Sequence, residues 1–241
     1  PGEMGRIATV AKVNQAVVTN IGISHIEQLG SQETICREKL HIQDGMAEGG
    51  ILYLNGDDPI LRKQKAKTGC KTIYYGFGEN CDYRATDIRM EAGKPVFTAV
   101  CKKRGESAKV ALQVFGRHMI ENAMAALAVA REHGILLADA ACALKAYTGY
   151  EGRQQIHSVN GITIIDDSYN ASPVSMKAAI QVLCDISVPG RKFAILADMK
   201  ELGPDSPAYH REIGTFLANK KIDLIALFGE LAAQIGEALK K

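Results

Sequence analysis

Short apolar runs alternate with amphipathic stretches along the first half of the chain. Apolar runs bounded by glycine, aspartate or proline predict three buried strands, QAVVTNIG (15–22), GGILYLNGDDP (49–59) and KTIYYGFG (71–78). ETICREKLHIQDGM (33–46) has the apolar spacing of a helix. Residues 83–115 alternate apolar and polar positions around Ala92-Gly93-Lys94, which predicts antiparallel hairpins. Two helices are predicted next, an alanine-rich one over 118–134 that ends at Gly134 and one near 138–147.

The pattern changes near Gly152-Arg153, and we place a boundary between the two parts at residues 150–158. Strands and helices then alternate as GITIIDD (161–167), SPVSMKAAIQVL (172–183), KFAILADM (192–199), PAYHREIGTFLANKK (207–221), IDLIALFG (222–229) and ELAAQIGEALKK (230–241). This order predicts a parallel sheet covered by helices. The fold class is therefore α/β in both parts.

Composition excludes several classes of protein. The 29 basic and 27 acidic residues give a formal charge of +2, which offers no electrostatic reason to expect a nucleic-acid partner or a membrane surface. No apolar run approaches the roughly 20 residues of a membrane span. The six cysteines lack C-x-x-C spacing, so we expect reduced thiols and a cytoplasmic protein.

Polar residues crowd the carboxyl end of the strand in IIDDSYNASPVSM (164–176), where open α/β sheets bind ligands. Asp166 and Asp167 end this strand, and Asp198 stands at the equivalent point of the next one. Ser172 suits a helix N-cap and Pro173 the first helical position. The alternative is that the two acids only shape the turn and that a nearby tyrosine only packs.

Four more positions are candidates, each with a plainer alternative. His25 follows a strand and suits a metal or phosphate, or it is a hydrogen-bonded loop residue. Lys39 is either a solvated helix residue or a buried lysine that carries CO₂ as a carbamate and holds Mg²⁺. The carbamate requires a neutral amine, so the pKa of Lys39 would have to lie below its usual value of about 10.4. Asn122 is mildly unfavourable inside a helix, which favours a binding role. Arg153 suits phosphate recognition, or an inter-domain salt bridge.

Two nucleotide-binding motifs do not apply. GFGENC (76–81) follows a strand, but no helix pattern follows it, so we reject it as a dinucleotide fingerprint. The chain contains no G-x-x-x-x-G-K-[ST] phosphate-binding loop.

Five segments, in this order, resemble the Mur ligases of peptidoglycan synthesis: TNIGISHIEQLGSQETICREKL, GRHMIENAMAALAVA, YEGRQQI, IIDDSYNASPVSMKAAI and ILADMKELGPDSPAYHREIG. The resemblance implies that residues 1–155 are the remainder of a central ATP-binding domain, with a mostly parallel sheet and an antiparallel hairpin part. Residues 156–241 would be a Rossmann-like C-terminal domain. The boundary between these two domains is predicted from the resemblance and from the change of pattern near Gly152-Arg153.

The resemblance also implies an activity. Within the family, the pair of motifs D-D-S-Y-N-A and D-M-x-E-L-G resembles that of the members that add D-Ala-D-Ala to UDP-MurNAc-tripeptide. Relatives that add other amino acids carry an A-H sequence or D-N-P-R instead. The implied reaction is ATP- and Mg²⁺-dependent amide formation through an acyl phosphate. It serves cell wall biogenesis, cell shape and cell division in the cytoplasm, and we expect a monomer. A ligase for another amino acid and a non-catalytic binding module remain alternatives.

The resemblance assigns roles to individual residues. It implies catalytic and metal-binding roles for His25 and Lys39, the latter as a carbamate, and nucleotide contacts for Asn122, Arg153 and Asp167. It places Tyr169 and Asn170 where substrate or ATP is seated.

Two departures from the family pattern matter. Glu3-Met4-Gly5 resembles the family's metal-binding E-M-G, but its spacing fits a later P-G-E-I segment better. We therefore expect a fragment that lacks the N-terminal domain and the phosphate-binding loop, and that is inactive alone. His41 replaces a glutamate common two places after the lysine, which weakens the inference of a metal site.

Overall fold

The computed structural model describes residues 1–240, and its first part is built on one six-stranded sheet. Its strands, which lie side by side in chain order, are β1 (Gln15–Val18), β2 (Ile51–Asn55), β3 (Lys71–Gly76), β4 (Tyr83–Glu91), β5 (Lys94–Cys101) and β6 (Glu106–Ala111). β1 to β4 pair in parallel, and β4, β5 and β6 pair as antiparallel hairpins. The predicted mostly parallel sheet with a hairpin part is confirmed.

Helices cover both faces of this sheet. They are α1 (Glu3–Ala11), α2 (Ile26–Leu29), α3 (Gln32–Leu40), α4 (Met119–Glu132) and α5 (Leu137–Ala143). Tyr53 and Tyr75 pack towards α4, while Leu52 and Leu54 pack towards α3. Because β2 is buried on both faces, its sequence is a continuous apolar run rather than an alternating one. No element was predicted for residues 3–11, the α1 segment.

The second part begins with a hairpin and continues with alternating helices and strands. Its elements are β7 (Gln155–Val159), β8 (Ile162–Asp166), α6 (Pro173–Asp185), β9 (Phe193–Ala197), α7 (Ser206–Leu217), β10 (Leu224–Phe228) and α8 (Ala233–Leu239). Met176, Ile213 and Ile235, from the three helices, share one core with Met199 and Leu202. Along residues 1–240, no helix combines the length and the apolar character needed to cross a bilayer.

The predicted parallel sheet of this part needs one correction. β9 and β10 pair in parallel as expected, but β8 forms its ladder with β7, antiparallel, and β7 was not predicted. Asn160 (φ 51°) and Gly161 (φ 79°) form the tight turn between them. A type I′ turn has positive φ at both central residues, and its twist matches the twist of the two strands that it joins. Asn-Gly is the strongest sequence signal for such a turn.

Candidate functional site

A cleft between the two parts brings together the segments that follow β1, β8 and β9. His25 lies on the first-part side, in left-handed backbone conformation (φ 63°), directly before α2. Its Nδ1 contacts a carboxylate oxygen of Glu201, which belongs to the second part. Both side chains keep about half of their surface exposed, 58% and 46%. His25 therefore contacts the opposite wall of the cleft.

The segment that carries Glu201 is held by a buried histidine. His210 of α7 is fully buried; its Nε2 accepts the Met199 N–H at 3.0 Å, and its Nδ1 bonds the Ser206 carbonyl at 2.7 Å. Glu201 has a left-handed backbone (φ 61°), which is uncommon for this residue type. Its carbonyl accepts the Glu27 N–H at 3.4 Å across the cleft. The loop is thus fixed from both sides.

A cavity of about 80 Å³ lies at this contact. Residues of both parts line it: Ser24, His25, Asn170, Ala171, Ser172, Lys200, Glu201 and Leu202. His25 and Asn170 were predicted as site residues, whereas Lys200 and Glu201 were not. The signal for the latter two was the polar run after β9, from which only Asp198 was singled out.

Lys39 lies half-buried on α3, and its Nζ donates to the Asn20 carbonyl at 2.9 Å. Burial lowers the pKa of Lys39, while the negative charge of Asp58 acts against that shift. Asp58 is itself fixed, because its carboxylate accepts the amides of Ile21 at 2.7 Å and Leu61 at 2.9 Å. The amine is therefore not a freely solvated one. In residues 1–240 no hydrogen bond joins it to His25.

Arg153, Asp167 and Tyr169 lie together at the junction of the two parts. The Arg153 guanidinium stacks over the Tyr169 ring at 4.3 Å, and the Tyr169 amide donates to Gly152 at 3.2 Å. Burial raises the pKa of Asp167, while the Gln154 amide and the Arg153 charge act in the opposite direction. The arginine thus lies on an aromatic ring beside a half-buried carboxylate.

Asn122 lies on the exposed side of α4, where its amide contacts the Met119 sulfur at 3.7 Å. One turn earlier, His118 Nε2 accepts from the Gln154 amide at 3.1 Å, and burial lowers the pKa of His118. Residues four apart share a helix face. Asn122 therefore faces the same side as the junction.

Asn170 and Asp166 make local turn contacts. The Asn170 side chain accepts the Ala171 amide at 2.8 Å, and Asp166 accepts the Ser168 amide at 3.0 Å. Hydrogen bonds from Ser168 lower the pKa of Asp166. Ser172 and Ser175 form a reciprocal capping box at the start of α6, as the sequence predicted for Ser172.

A second group of acids was not selected from the sequence. Asp57 and Asp58 follow β2, and Glu121 lies close enough for Asn55 Nδ2 to donate to it at 3.3 Å. Burial raises the pKa of Glu121, and the charge of Asp57 adds to the shift. The signal was available, because these acids follow a buried strand just as Asp166 and its neighbour do.

The glycine-rich segment after β3 wraps around one of these acids. The Asp57 carboxylate accepts the amides of Phe77 at 2.5 Å and Gly78 at 2.9 Å. A Cβ on Gly76, which has φ 149°, would lie 2.2 Å from Asp57 Oδ2. The segment rejected as a dinucleotide fingerprint therefore binds a carboxylate of its own chain.

Comparison with known proteins gives two family matches. The model of the Mur ligase middle domain matches residues 1–130, and that of the Mur ligase glutamate ligase domain matches residues 152–241. The UDP-N-acetylmuramoyl-tripeptide–D-alanyl-D-alanine ligase of Bacillus subtilis strain 168 is 38% identical in an alignment 242 residues long, which covers 100% of this chain and 51% of the relative. The chain spans about half the length of the curated relatives it matches.

Solved structures agree with these matches. MurF from Acinetobacter baumannii superposes with a TM-score of 0.90 at 30% identity, covering all of this chain and 52% of that one. MurF ligase from Thermotoga maritima, solved in complex with ADP, gives a TM-score of 0.80 at 26% identity and covers 100% and 64% of the two chains.

Proposed function

The chain belongs to the Mur ligase family, and from this premise we propose that it forms the central and C-terminal parts of an ATP-dependent peptide ligase. The ligase adds D-Ala-D-Ala to UDP-MurNAc-tripeptide, for peptidoglycan synthesis in the cytoplasm. We assign residues 1–155 to the central domain and 156–241 to the C-terminal domain. We further propose that the enzyme is a monomer.

One observation carries the proposal beyond family membership. The segments after β1, β8 and β9 meet in one cleft, although they come from three different sheets. Joining a carboxyl group to an amine requires the two reacting groups to be held close together in the correct orientation. A cleft between the two parts can hold both substrates in this way. The names of the relatives and the ADP complex of one of them support the choice of substrates.

The reaction has two steps in this proposal. The terminal carboxylate of the tripeptide takes the γ-phosphoryl group of ATP, and ADP leaves. The ammonium group of D-Ala-D-Ala loses a proton to water, and the resulting amine attacks the acyl carbon; the nitrogen then loses a second proton as phosphate leaves and the amide forms. Positively charged and hydrogen-bonding groups that face the phosphates stabilise the charge that develops there.

We assign the nucleotide to the junction. The stacked guanidinium of Arg153 would face the phosphates, Asp167 the ribose, and Asn122 the adenine. An arginine held against an aromatic ring loses little freedom when it binds a phosphate, because its donor fork is already oriented. Tyr169 and Asn170, on the segment after β8, would seat ATP or the dipeptide.

The metal assignment rests on Lys39 and His25. Mg²⁺ prefers oxygen ligands, which an amine does not supply but a carbamate would. CO₂ adds to a neutral amine, and burial lowers the pKa of Lys39 in that direction. In residues 1–240 no three His, Cys, Asp or Glu side chains form a metal cluster. Mg²⁺ bound there would take waters and substrate phosphates as its remaining ligands and would neutralise phosphate charge.

The test uses a chimera in which this chain replaces the matching half of the Bacillus subtilis relative. We expect phosphate release with ATP, Mg²⁺ and UDP-MurNAc-tripeptide only when D-Ala-D-Ala is present. Release with a different amino acid would keep the reaction and replace the amine substrate. Binding of both substrates without turnover would favour a non-catalytic module.

A further inference from the structure

We propose that Glu201 and Lys200 bind the two charged ends of the incoming dipeptide, the carboxylate of Glu201 its ammonium and the ammonium of Lys200 its carboxylate. This inference rests on the proposed function and deepens it, because it assigns the specificity for the amine substrate to the cavity between the two parts.

The charges that face the cavity match a zwitterion. Glu201 supplies a carboxylate that is about half exposed. Lys200 is the more exposed partner: 74% of its side chain is exposed, and its contact to Asp198 Oδ2 is long, at 3.4 Å. Asn170 and Ser172 add neutral polar groups to the lining of the cavity. A free dipeptide carries one ammonium and one carboxylate, so each charged group of the cavity has one partner.

Size and surface select a small ligand. The cavity has a volume of about 80 Å³, far below the roughly 300–1,000 Å³ of sites for drug-sized ligands, which favours a small ligand over a nucleotide. Ala171 and the buried Leu202 supply apolar wall. Methyl side chains suit such a wall, whereas an acidic or long basic side chain would lose its hydration without gaining a partner.

The contact between His25 and Glu201 explains what holds the carboxylate before the substrate arrives. The imidazole contacts the position that an ammonium would take. The amine of the dipeptide would displace the imidazole from this position when it binds.

The loop is preorganised for this role. Two hydrogen bonds of the buried His210 fix the turn that presents both charged residues. The left-handed backbone of Glu201 is the kind of local strain that folded proteins retain where a side chain must be aimed. A rigid loop spends less of the binding free energy on ordering side chains.

The experiment measures KM for each substrate in the chimera carrying Glu201→Gln. Loss of one charge-assisted hydrogen bond should raise KM for D-Ala-D-Ala by about 10- to 100-fold. KM for ATP and for UDP-MurNAc-tripeptide should stay within about twofold, because neither ligand is assigned to the Glu201 carboxylate. Glu212→Gln is the matched control: Glu212 is also about half exposed and paired, but with Lys177 on the outer surface. It should change no KM value.

Lys200→Met provides an independent test with a second substrate, D-Ala-D-alaninamide, which lacks the terminal carboxylate. The unmodified chimera should prefer the free acid by about tenfold, and the variant should lose that preference. An unmodified chimera with no dipeptide-dependent turnover would overturn the proposed function, and this inference with it. Normal turnover together with unchanged dipeptide KM in Glu201→Gln and an intact preference in Lys200→Met would overturn this inference alone.

Discussion

Replacing His210 by alanine tests whether the loop after β9 is held as the structure shows. The side chain is fully buried and accepts from Met199 while bonding the Ser206 carbonyl. Each buried polar group left without a partner costs about 1–3 kcal/mol, and the lost ring adds a cavity. We therefore expect a loss of about 3–5 kcal/mol, a large share of the roughly 5–15 kcal/mol that stabilises a typical domain.

The assay combines urea unfolding with hydrogen exchange. The chain has no tryptophan, so circular dichroism and tyrosine fluorescence follow the transition, and exchange at the Met199 amide reports the loop itself. His210→Gln keeps a donor and an acceptor and should cost about 1–2 kcal/mol. His157→Ala, on the exposed surface of β7, should stay within about 0.5 kcal/mol. A loss below about 1 kcal/mol in His210→Ala, with the Met199 amide still protected, would refute this account of the loop.

Three further predictions concern other parts of the chain. Glu121→Gln should stabilise the protein at neutral pH, because burial raises the pKa of Glu121 above its ordinary 4.5. The wild type therefore loses stability as the pH rises from 4.5 through the raised pKa of the folded state. Thermal melts of the two proteins should converge in acid. Gly229→Ala should destabilise the protein by about 1–3 kcal/mol, because φ at this position is +112° and the new Cβ would lie 2.2 Å from Asp198 Oδ1. Gly190→Ala is the control, since its Cβ would meet no atom within 4 Å. Equal melting temperatures of the two variants would contradict this prediction. Lys39→Ala in the chimera should abolish phosphate release, with partial rescue by added short carboxylates; full activity without them would exclude the carbamate.

The spacing of apolar residues predicted most of the helices and strands, because an element buried on one or both faces carries apolar residues at regular intervals along the sequence. The break at Ala92-Gly93 was found for this reason, and both residues have positive φ, as the turn between β4 and β5 requires. The equivalent signal at Asn160-Gly161 was overlooked, and β8 was placed in a parallel sheet as a result. The apolar run of β8 is compatible with either kind of partner, so only the turn before it could have decided.

The site was less predictable than the fold. His25 and Asn170 stand out locally, since each follows a strand, but the contact of His25 with Glu201 joins residues from different sheets. No periodicity records such a contact. The stacking of Arg153 on Tyr169 is similar, because the sequence suggested a phosphate ligand or a salt bridge and contains nothing that specifies an aromatic partner.

The carboxylate of Asp57 has a consequence for how anions meet this protein. Two amides of the glycine-rich segment already point at it, so the chain carries its own tethered anion in a concave backbone surface that would otherwise suit a phosphate. A covalently attached competitor acts at an effective concentration of the order of millimolar or above. An Asp57→Ala substitution would remove this tethered anion and leave both amides without their acceptor.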